Sequence, residues 1–99
     1  MSTYKVIGRN GKEIHSDVLL HPGDVLANEL EARAIAQKSF AALVGMRPSH
    51  FNELLKGKRH MSAPLALKLE KQLDLEAGFW MRLQIDYDLK IARKQLEVA

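Results

Sequence analysis

The residues best suited to chemistry in this sequence lie together between positions 36 and 60. That segment carries five Lys and Arg against one acid, Glu53, a net charge of +4, whereas residues 1 to 35 sum to −1 and residues 61 to 99 to zero. Such a concentration of positive charge predicts a polyanionic partner, although charge alone does not separate DNA from RNA or from an acidic protein. A solvated basic face without a partner is the alternative.

The same segment matches a helix-turn-helix pattern from Gln37 to Leu54. Ala41 is small where two helices must cross closely, and Gly45 can adopt the left-handed conformation that the turn requires. The apolar positions are spaced to form a shared core, and they are Phe40, Val44, Met46, Phe51 and Leu54. Because these requirements are met jointly, we favour this motif over an ordinary helical hairpin.

In a helix-turn-helix, the second helix lies in the major groove and its first residues face the base edges. Arg can bond guanine, Asn can bond adenine, and Ser or His can bond several edges. The predicted base-reading residues are Arg47, Ser49, His50, Asn52 and Glu53. Contacts to the phosphate backbone are expected from the amide of Gln37 at a helix N-terminus and from Lys38, Lys56, Lys58 and Arg59.

Helical spacing and terminating residues predict five helices after residue 20. They begin near Pro22, Gln37 and Pro48, after an N-cap at Ser62, and near Ala77, and the last runs to about Leu96. Apolar residues at helical spacing, including Leu26, Leu30 and Ala34, form the inner stripe of the first helix.

The first 19 residues form a separate segment. Asn10-Gly11 lies between short apolar stretches and predicts a β-hairpin, because this pair supplies the positive φ of a tight turn. We therefore divide the chain into an N-terminal arm or hairpin, residues 1 to 19, and a helix-turn-helix domain with a C-terminal dimerisation helix, residues 20 to 99. The arm could bind a partner protein, add to a dimer or be a tail that is ordered only in a crystal, and the sequence does not choose.

The last helix has two opposed apolar faces. One face, with Gln84 at its edge, is assigned to dimerisation: Trp80, Leu83, Gln84, Tyr87 and Ile91. The opposite face carries Met81, Ile85, Leu89, Ala92 and Leu96. A surface helix of a monomer needs only one apolar face. The second face therefore predicts contact with a second subunit, as in a homodimer, or with a different protein, unless one chain covers the helix on both sides. A twofold dimer places its reading helices ~34 Å apart and predicts a palindromic operator in double-stranded DNA.

Several classes are disfavoured. The chain has no cysteine, no long apolar run and no secretory start, so we expect a cytoplasmic protein with no membrane segment. Its four His lack metal-ligand spacing, and there is no glycine-rich phosphate loop. Glu29 and Glu31, like Asp86 and Asp88, are two residues apart on helices, so the carboxylates of each pair point in different directions. We therefore expect no enzyme activity, metal or cofactor. RNA binding is disfavoured because the basic segment lacks exposed stacking aromatics.

The chain resembles HigA-type antitoxins, a family within the phage-repressor-like, or lambda-repressor-like, helix-turn-helix proteins. The resemblance rests on His21 to Leu26, Asn52 to Arg59, Ala66 to Leu69 and Phe79 to Leu89. It implies a five-helix all-α fold, dimerisation, repression of the protein's own operon and neutralisation of a small HigB-type ribonuclease toxin. A repressor without a toxin is the alternative. Glu76 departs from the family, which usually has a Ser or Thr cap there.

Overall fold

The computed structural model describes residues 19 to 97, which form five α-helices. They are α1 (Pro22–Ala32), α2 (Gln37–Leu43), α3 (Pro48–Leu55), α4 (Ala63–Leu73) and α5 (Ala77–Glu97). There is no strand within residues 19 to 97, so the predicted all-α fold with five helices is confirmed there. The hairpin predicted around Asn10-Gly11 lies outside the described residues. None of the five helices is long and apolar enough to cross a membrane.

One apolar core joins all five helices. α1 packs against α3 and α5, α2 packs against α3, and α4 packs against α5. The buried members are Leu26, Leu30, Phe40, Ala41, Val44, Phe51, Leu54, Leu55, Met61, Leu65, Ala66, Leu69, Leu73 and Trp80. The predicted motif core is therefore confirmed, with Met46 half-buried against it. Burying side chains of this size stabilises a fold by roughly 1.5 to 3 kcal/mol each.

The first helix begins at a cap that is not among the usual N-cap residues. His21 Nδ1 accepts a hydrogen bond from the Gly23 N–H at 2.9 Å. Asp24 Oδ2 accepts one from the His21 N–H at 3.1 Å, which completes a reciprocal capping box. Two of the amide groups that a helix start leaves without partners are thus satisfied.

The last two helices begin with side-chain caps from different sources. Ser62 Oγ accepts the Leu65 N–H at 3.3 Å, as predicted for the start of α4. At the start of α5, the Ala77 N–H donates to Glu70 Oε1 at 3.0 Å. A carboxylate from α4 therefore satisfies one of the free N–H groups at the start of α5, whereas a Ser or Thr at position 76 would satisfy one of the next two.

Positive φ values occur at or just beyond the ends of all of the first four helices, including Asp74 (φ +61°) at the end of α4. Gly45 (φ +71°) follows α2 and Gly57 (φ +78°) follows α3, as the sequence predicts. The prediction for Ala34 is wrong. It has φ +57°, lies beyond the C-cap of α1 and is exposed, because α1 ends at residue 32 and the chain turns there toward α2.

The dimer prediction is wrong for two residues of α5. Trp80 is fully buried and Gln84 only 3% exposed in the single chain, because this face of α5 packs on the chain's own core and on the loop after α3. Leu83, Tyr87 and Ile91 are half-buried. The apolar residues that α5 leaves exposed lie on the other face: Ile85, Leu89, Ala92 and Leu96.

Candidate nucleic-acid interface

The turn between α2 and α3 is held by backbone and side-chain hydrogen bonds at the end of α2. The Met46 N–H donates to the Ala41 carbonyl at 2.9 Å across the turn. Lys68 of α4 donates from Nζ to the Val44 carbonyl at 3.1 Å and so satisfies an acceptor at the end of α2. Phe40 and Phe51 contact each other below the turn, with ring centroids 5.8 Å apart. These contacts fix the angle at which α3 leaves α2.

The side chains predicted to read bases lie at the surface of α3. Arg47, the N-cap residue, and Ser49 are exposed, and His50 and Asn52 are half-buried. Within residues 19 to 97, the side chains of Ser49 and Asn52 form no intrachain hydrogen bond. Polar groups at the first turns of a solvent-facing helix can therefore reach base edges without first breaking an internal contact.

The residues predicted to contact phosphates lie at both ends of the motif. Gln37 and Lys38 are exposed at the start of α2, and Lys56 and Lys58 are exposed at the end of α3 and in the loop beyond it. Arg59 is half-buried and pairs with Glu53, with Nε and Oε1 separated by 2.7 Å. Four of the five Lys and Arg residues of the segment are thus exposed, and the fifth, Arg59, is hydrogen-bonded to Glu53 of α3.

Glu53 is held in its charged form by its neighbours. The hydrogen bond from Arg59 lowers the pKa of Glu53, and the charges of Arg59, His50 and Lys58 act in the same direction. The carboxylate therefore remains ionised to a lower pH than that of an unpaired glutamate.

A buried amide of α5 holds the loop that follows α3. Gln84 Oε1 accepts the Met61 N–H at 2.6 Å, and Gln84 Nε2 donates to Asp88 Oδ1 at 3.0 Å. Asp88 also lies 3.3 Å from Nε2 of His60. Gln84 is thus a structural link between α5 and the basic loop. Sequence reasoning missed this because the contact spans 23 residues.

His21 supports the same loop from the side of α1. Its ring packs edge-on against Tyr87 with centroids 4.8 Å apart. It also lies next to Gly57, where an added Cβ would be 3.5 Å from the ring. Burial lowers the pKa of His21, so the ring is neutral at pH 7 and Nδ1 remains an acceptor for the helix cap. The sequence analysis did not predict this cap, although the spacing of His21 and Asp24 could have indicated it.

No cluster of three His, Asp or Glu residues suited to a metal ion occurs in the part of the chain between residues 19 and 97. The arrangement that stands out is instead a short helix with polar side chains at its start and cations around it. A five-helix fold with α2, a glycine turn and α3 arranged in this way defines a helix-turn-helix protein.

Comparison with known proteins shows to which family of helix-turn-helix proteins the chain is similar. No family model matches the chain. It is 32% identical to virulence-associated protein I of Dichelobacter nodosus over 76 residues, which cover 76% of this chain and 70% of that protein. An addiction module antidote protein of the HigA family from Coxiella burnetii superimposes with a TM-score of 0.72 at 32% identity, covering 78% of this chain and 85% of that one.

A third relative was solved on DNA. The Pseudomonas aeruginosa antitoxin HigA, in a structure with the higBA promoter, superimposes with a TM-score of 0.73 at 32% identity. That match covers 81% of this chain and 92% of the relative. The chain belongs to the HigA family.

Proposed function

We propose that the protein is a sequence-specific DNA-binding antitoxin of a type II toxin-antitoxin module, which represses its own operon. The observation that carries the proposal is the presentation of α3, with polar residues at its exposed start, inside the one basic segment of the chain. The promoter complex of the Pseudomonas HigA supports DNA as the polyanion. Its place of action is then the cytoplasm, where the operon lies.

On this proposal α3 enters the major groove. Ser49, His50 and Asn52 read base edges, and Arg47 reaches either a base or a phosphate at the groove's edge. The surrounding residues contact the backbone, and these are Gln37, Lys38, Lys56, Lys58 and Arg59. Their contacts supply affinity and register, while the polar side chains of α3 supply sequence preference.

A homodimer is part of the proposal, through the exposed face of α5. Ile85, Leu89, Ala92 and Leu96 follow one another at intervals of four, three and four residues, the spacing of a helix seam that packs against another helix. Ile85, Leu89 and Leu96 are 52%, 45% and 75% exposed in the single chain. A second copy that covers this stripe would remove an apolar surface from water and double the number of phosphate contacts.

We further propose that residues 20 to 99 form the DNA-binding and dimerisation domain and that residues 1 to 19 are an arm added to it.

The proposed partner toxin is a small ribonuclease of the HigB type. Co-expression with the neighbouring reading frame of the operon tests this part. Stoichiometric co-purification with a small ribonuclease, and loss of its activity in the complex, are expected. A protein that binds its operator yet retains no such partner would be a repressor without a toxin.

The DNA part is tested by titrating labelled duplexes with the full chain. One duplex carries the protein's own promoter and the other a scrambled sequence of equal length and composition. We expect the promoter to bind at least a thousand-fold more tightly than the scrambled duplex at physiological salt. Equal affinity for the two duplexes would contradict sequence-specific recognition.

A further inference from the structure

Glu53 is an acid on a surface that should meet phosphates. It is the single Asp or Glu between residues 36 and 60, and it lies on α3 between the base-reading positions and the basic loop. A carboxylate beside the DNA backbone is repelled by the phosphates. Glu53 should therefore weaken DNA binding unless it also makes a contact that favours binding. Within residues 19 to 97, the one hydrogen-bonded partner of its carboxylate is Arg59, at 2.7 Å.

We propose that Glu53 is a positioning residue, whose carboxylate orients the Arg59 guanidinium toward the DNA backbone and does not itself read a base. This inference rests on the proposed function. It assigns the two members of the pair different tasks: Arg59 contacts a phosphate, and Glu53 determines where that contact falls.

The backbone around Arg59 is already fixed. The Lys58 N–H donates to the Glu53 carbonyl at 2.8 Å, and Gly57 turns the chain with φ +78°. On the other side, the ring of His21 lies against Gly57, where an added Cβ would be 3.5 Å from the ring. The remaining freedom of Arg59 is in its long side chain, and Glu53 restricts it by accepting the hydrogen of Nε.

The geometry of guanidinium explains why this contact suits phosphate binding. Arginine has five N–H donors in a planar fork. With Nε engaged by Glu53 Oε1, the two terminal Nη groups remain as a pair that can bond a phosphate with two parallel hydrogen bonds. A lysine, or an unrestrained arginine, would deliver the same charge without a set direction.

A directed phosphate contact affects the operator more than random DNA. Contacts to the backbone set the register in which α3 meets the bases, and this register matters only when the bases match. On random DNA, a mobile arginine finds a phosphate equally well. Loss of the pair should therefore reduce discrimination between operator and random DNA.

The test compares two variants of Glu53 in operator and scrambled duplexes. Glu53→Asp keeps the charge but is one methylene shorter, so we expect random binding to stay unchanged and operator affinity to fall about three- to five-fold. Glu53→Gln removes the charge, so affinity for both duplexes should rise while their ratio falls by a similar factor. Glu29→Gln is the matched control.

Glu29 is suited to this purpose because it accepts a hydrogen bond from Nε of Arg33, the C-cap residue of α1, through the same pair of atoms. Its Oε1 lies 3.0 Å from the arginine Nε, and the two side chains are exposed to a similar degree, 34% and 38%. The pair lies outside the basic segment. Glu29→Gln should leave the ratio of operator to random affinity unchanged.

A double-mutant cycle with Arg59→Gln separates positioning from base reading. Arg59→Gln should lower the affinity for both duplexes and reduce the salt dependence. In that background, neither Glu53 variant should reduce the ratio further, because no guanidinium remains to be oriented. If the Glu53 variants reduce the ratio of operator to random affinity equally with and without Arg59, the inference is wrong and Glu53 is a base reader.

An unchanged ratio in both single variants would also overturn the inference. That result leaves the proposed function intact, since the wild-type protein still discriminates. If the wild-type chain itself binds both duplexes equally, the proposed function is the part that fails. Thermal unfolding of each variant checks the fold, and the exposure of Glu53 predicts little change.

Discussion

At the scale of single residues, the basic segment contains two kinds of side chain that should behave differently on DNA. Asn52 and Ser49 are uncharged and lie on α3, where hydrogen bonds to base edges are possible. Lys56 and Lys58 are charged and exposed beyond the base-reading positions, where only the backbone is expected. Substitutions of the two kinds should therefore change different measured quantities.

We expect Asn52→Ala to weaken binding to the operator by ~1 to 3 kcal/mol and to leave binding to random DNA nearly unchanged, because the lost amide reads a base. The measurement is a titration of both duplexes at one salt concentration. Asn28→Ala, an exposed Asn on α1 outside the basic segment, is the control. An equal loss on both duplexes would show that Asn52 does not read a base.

Lys58→Ala should weaken binding to both duplexes by similar factors. Each phosphate contact that is lost reduces the slope of log affinity against log salt by ~0.9, so a dimer should lose about twice that. The slope is measured by titrations between 50 and 200 mM salt. Lys71→Ala, at an exposed position in the last turn of α4, should leave the slope as it is.

At the scale of the helices, the close approach of α1 to α3 depends on one glycine. A Cβ built on Gly23 would lie 1.9 Å from the Leu54 carbonyl oxygen, and that oxygen belongs to the backbone of α3. The two helices could not both keep their positions with a larger residue at position 23. Since α3 is the proposed reading helix, this contact connects the core to the DNA surface.

Gly23→Ala should therefore lower the free energy of unfolding by ~1 to 3 kcal/mol or more, as overpacking of a core contact does. Chemical denaturation measures the change. Gly78→Ala is the control, because a Cβ there would meet the mobile end of Arg82 at 3.1 Å and alanine favours a helix. The idea would be wrong if both variants were as stable as the wild type.

The cap of α1 makes the stability of the fold depend on pH. Burial lowers the pKa of His21 below the ~6.5 of an unfolded histidine. The unfolded chain therefore binds a proton at a higher pH than the folded chain does. The resulting stability is fully present above about pH 6.5 and decreases as the pH falls through that value toward the lowered folded pKa.

We expect unfolding experiments between pH 8 and pH 5 to show this decrease in the wild type and a flatter profile in His21→Asn. Asparagine keeps a side-chain acceptor at the N-cap but does not titrate. Parallel profiles for the two proteins would assign the pH dependence to other groups.

At the scale of the whole molecule, the proposed homodimer would double the phosphate contacts of one chain, and the exposed stripe on α5 is the surface that we assign to pairing. Leu89 lies near the middle of that stripe and is 45% exposed. A charge placed there would be buried in a dimer but solvated in a monomer. The stripe can thus be tested without disturbing the core of the single chain.

Leu89→Glu should give monomers in sedimentation experiments, with an unchanged helical content, and should bind the operator far more weakly than the wild type does. Gln95→Glu adds the same charge to α5 away from the stripe and should remain dimeric. A dimer that survives Leu89→Glu would show that another surface joins the subunits.

Local patterns in the sequence were sufficient to predict most of the elements. The structure confirms the predicted starts of α2, α3 and α4, the glycines after α2 and α3, and the Ser62 cap. All of these features depend on neighbouring residues. The basic segment and its helix-turn-helix pattern could be recognised for the same reason. Each of these features depends on residues a few positions apart, which periodicity and capping rules describe.

What only the tertiary structure decided are the contacts between residues far apart in the chain. The sequence shows two apolar faces on α5 but not which one the core covers, because that depends on how α1, α4 and the loop after α3 approach the helix. Trp80 and Gln84 face inward, and the stripe around Leu89 faces outward. The structure also decides a contact over a shorter separation: Glu53 and Arg59 are six residues apart, and their side chains become partners only because the turn at Gly57 brings them together.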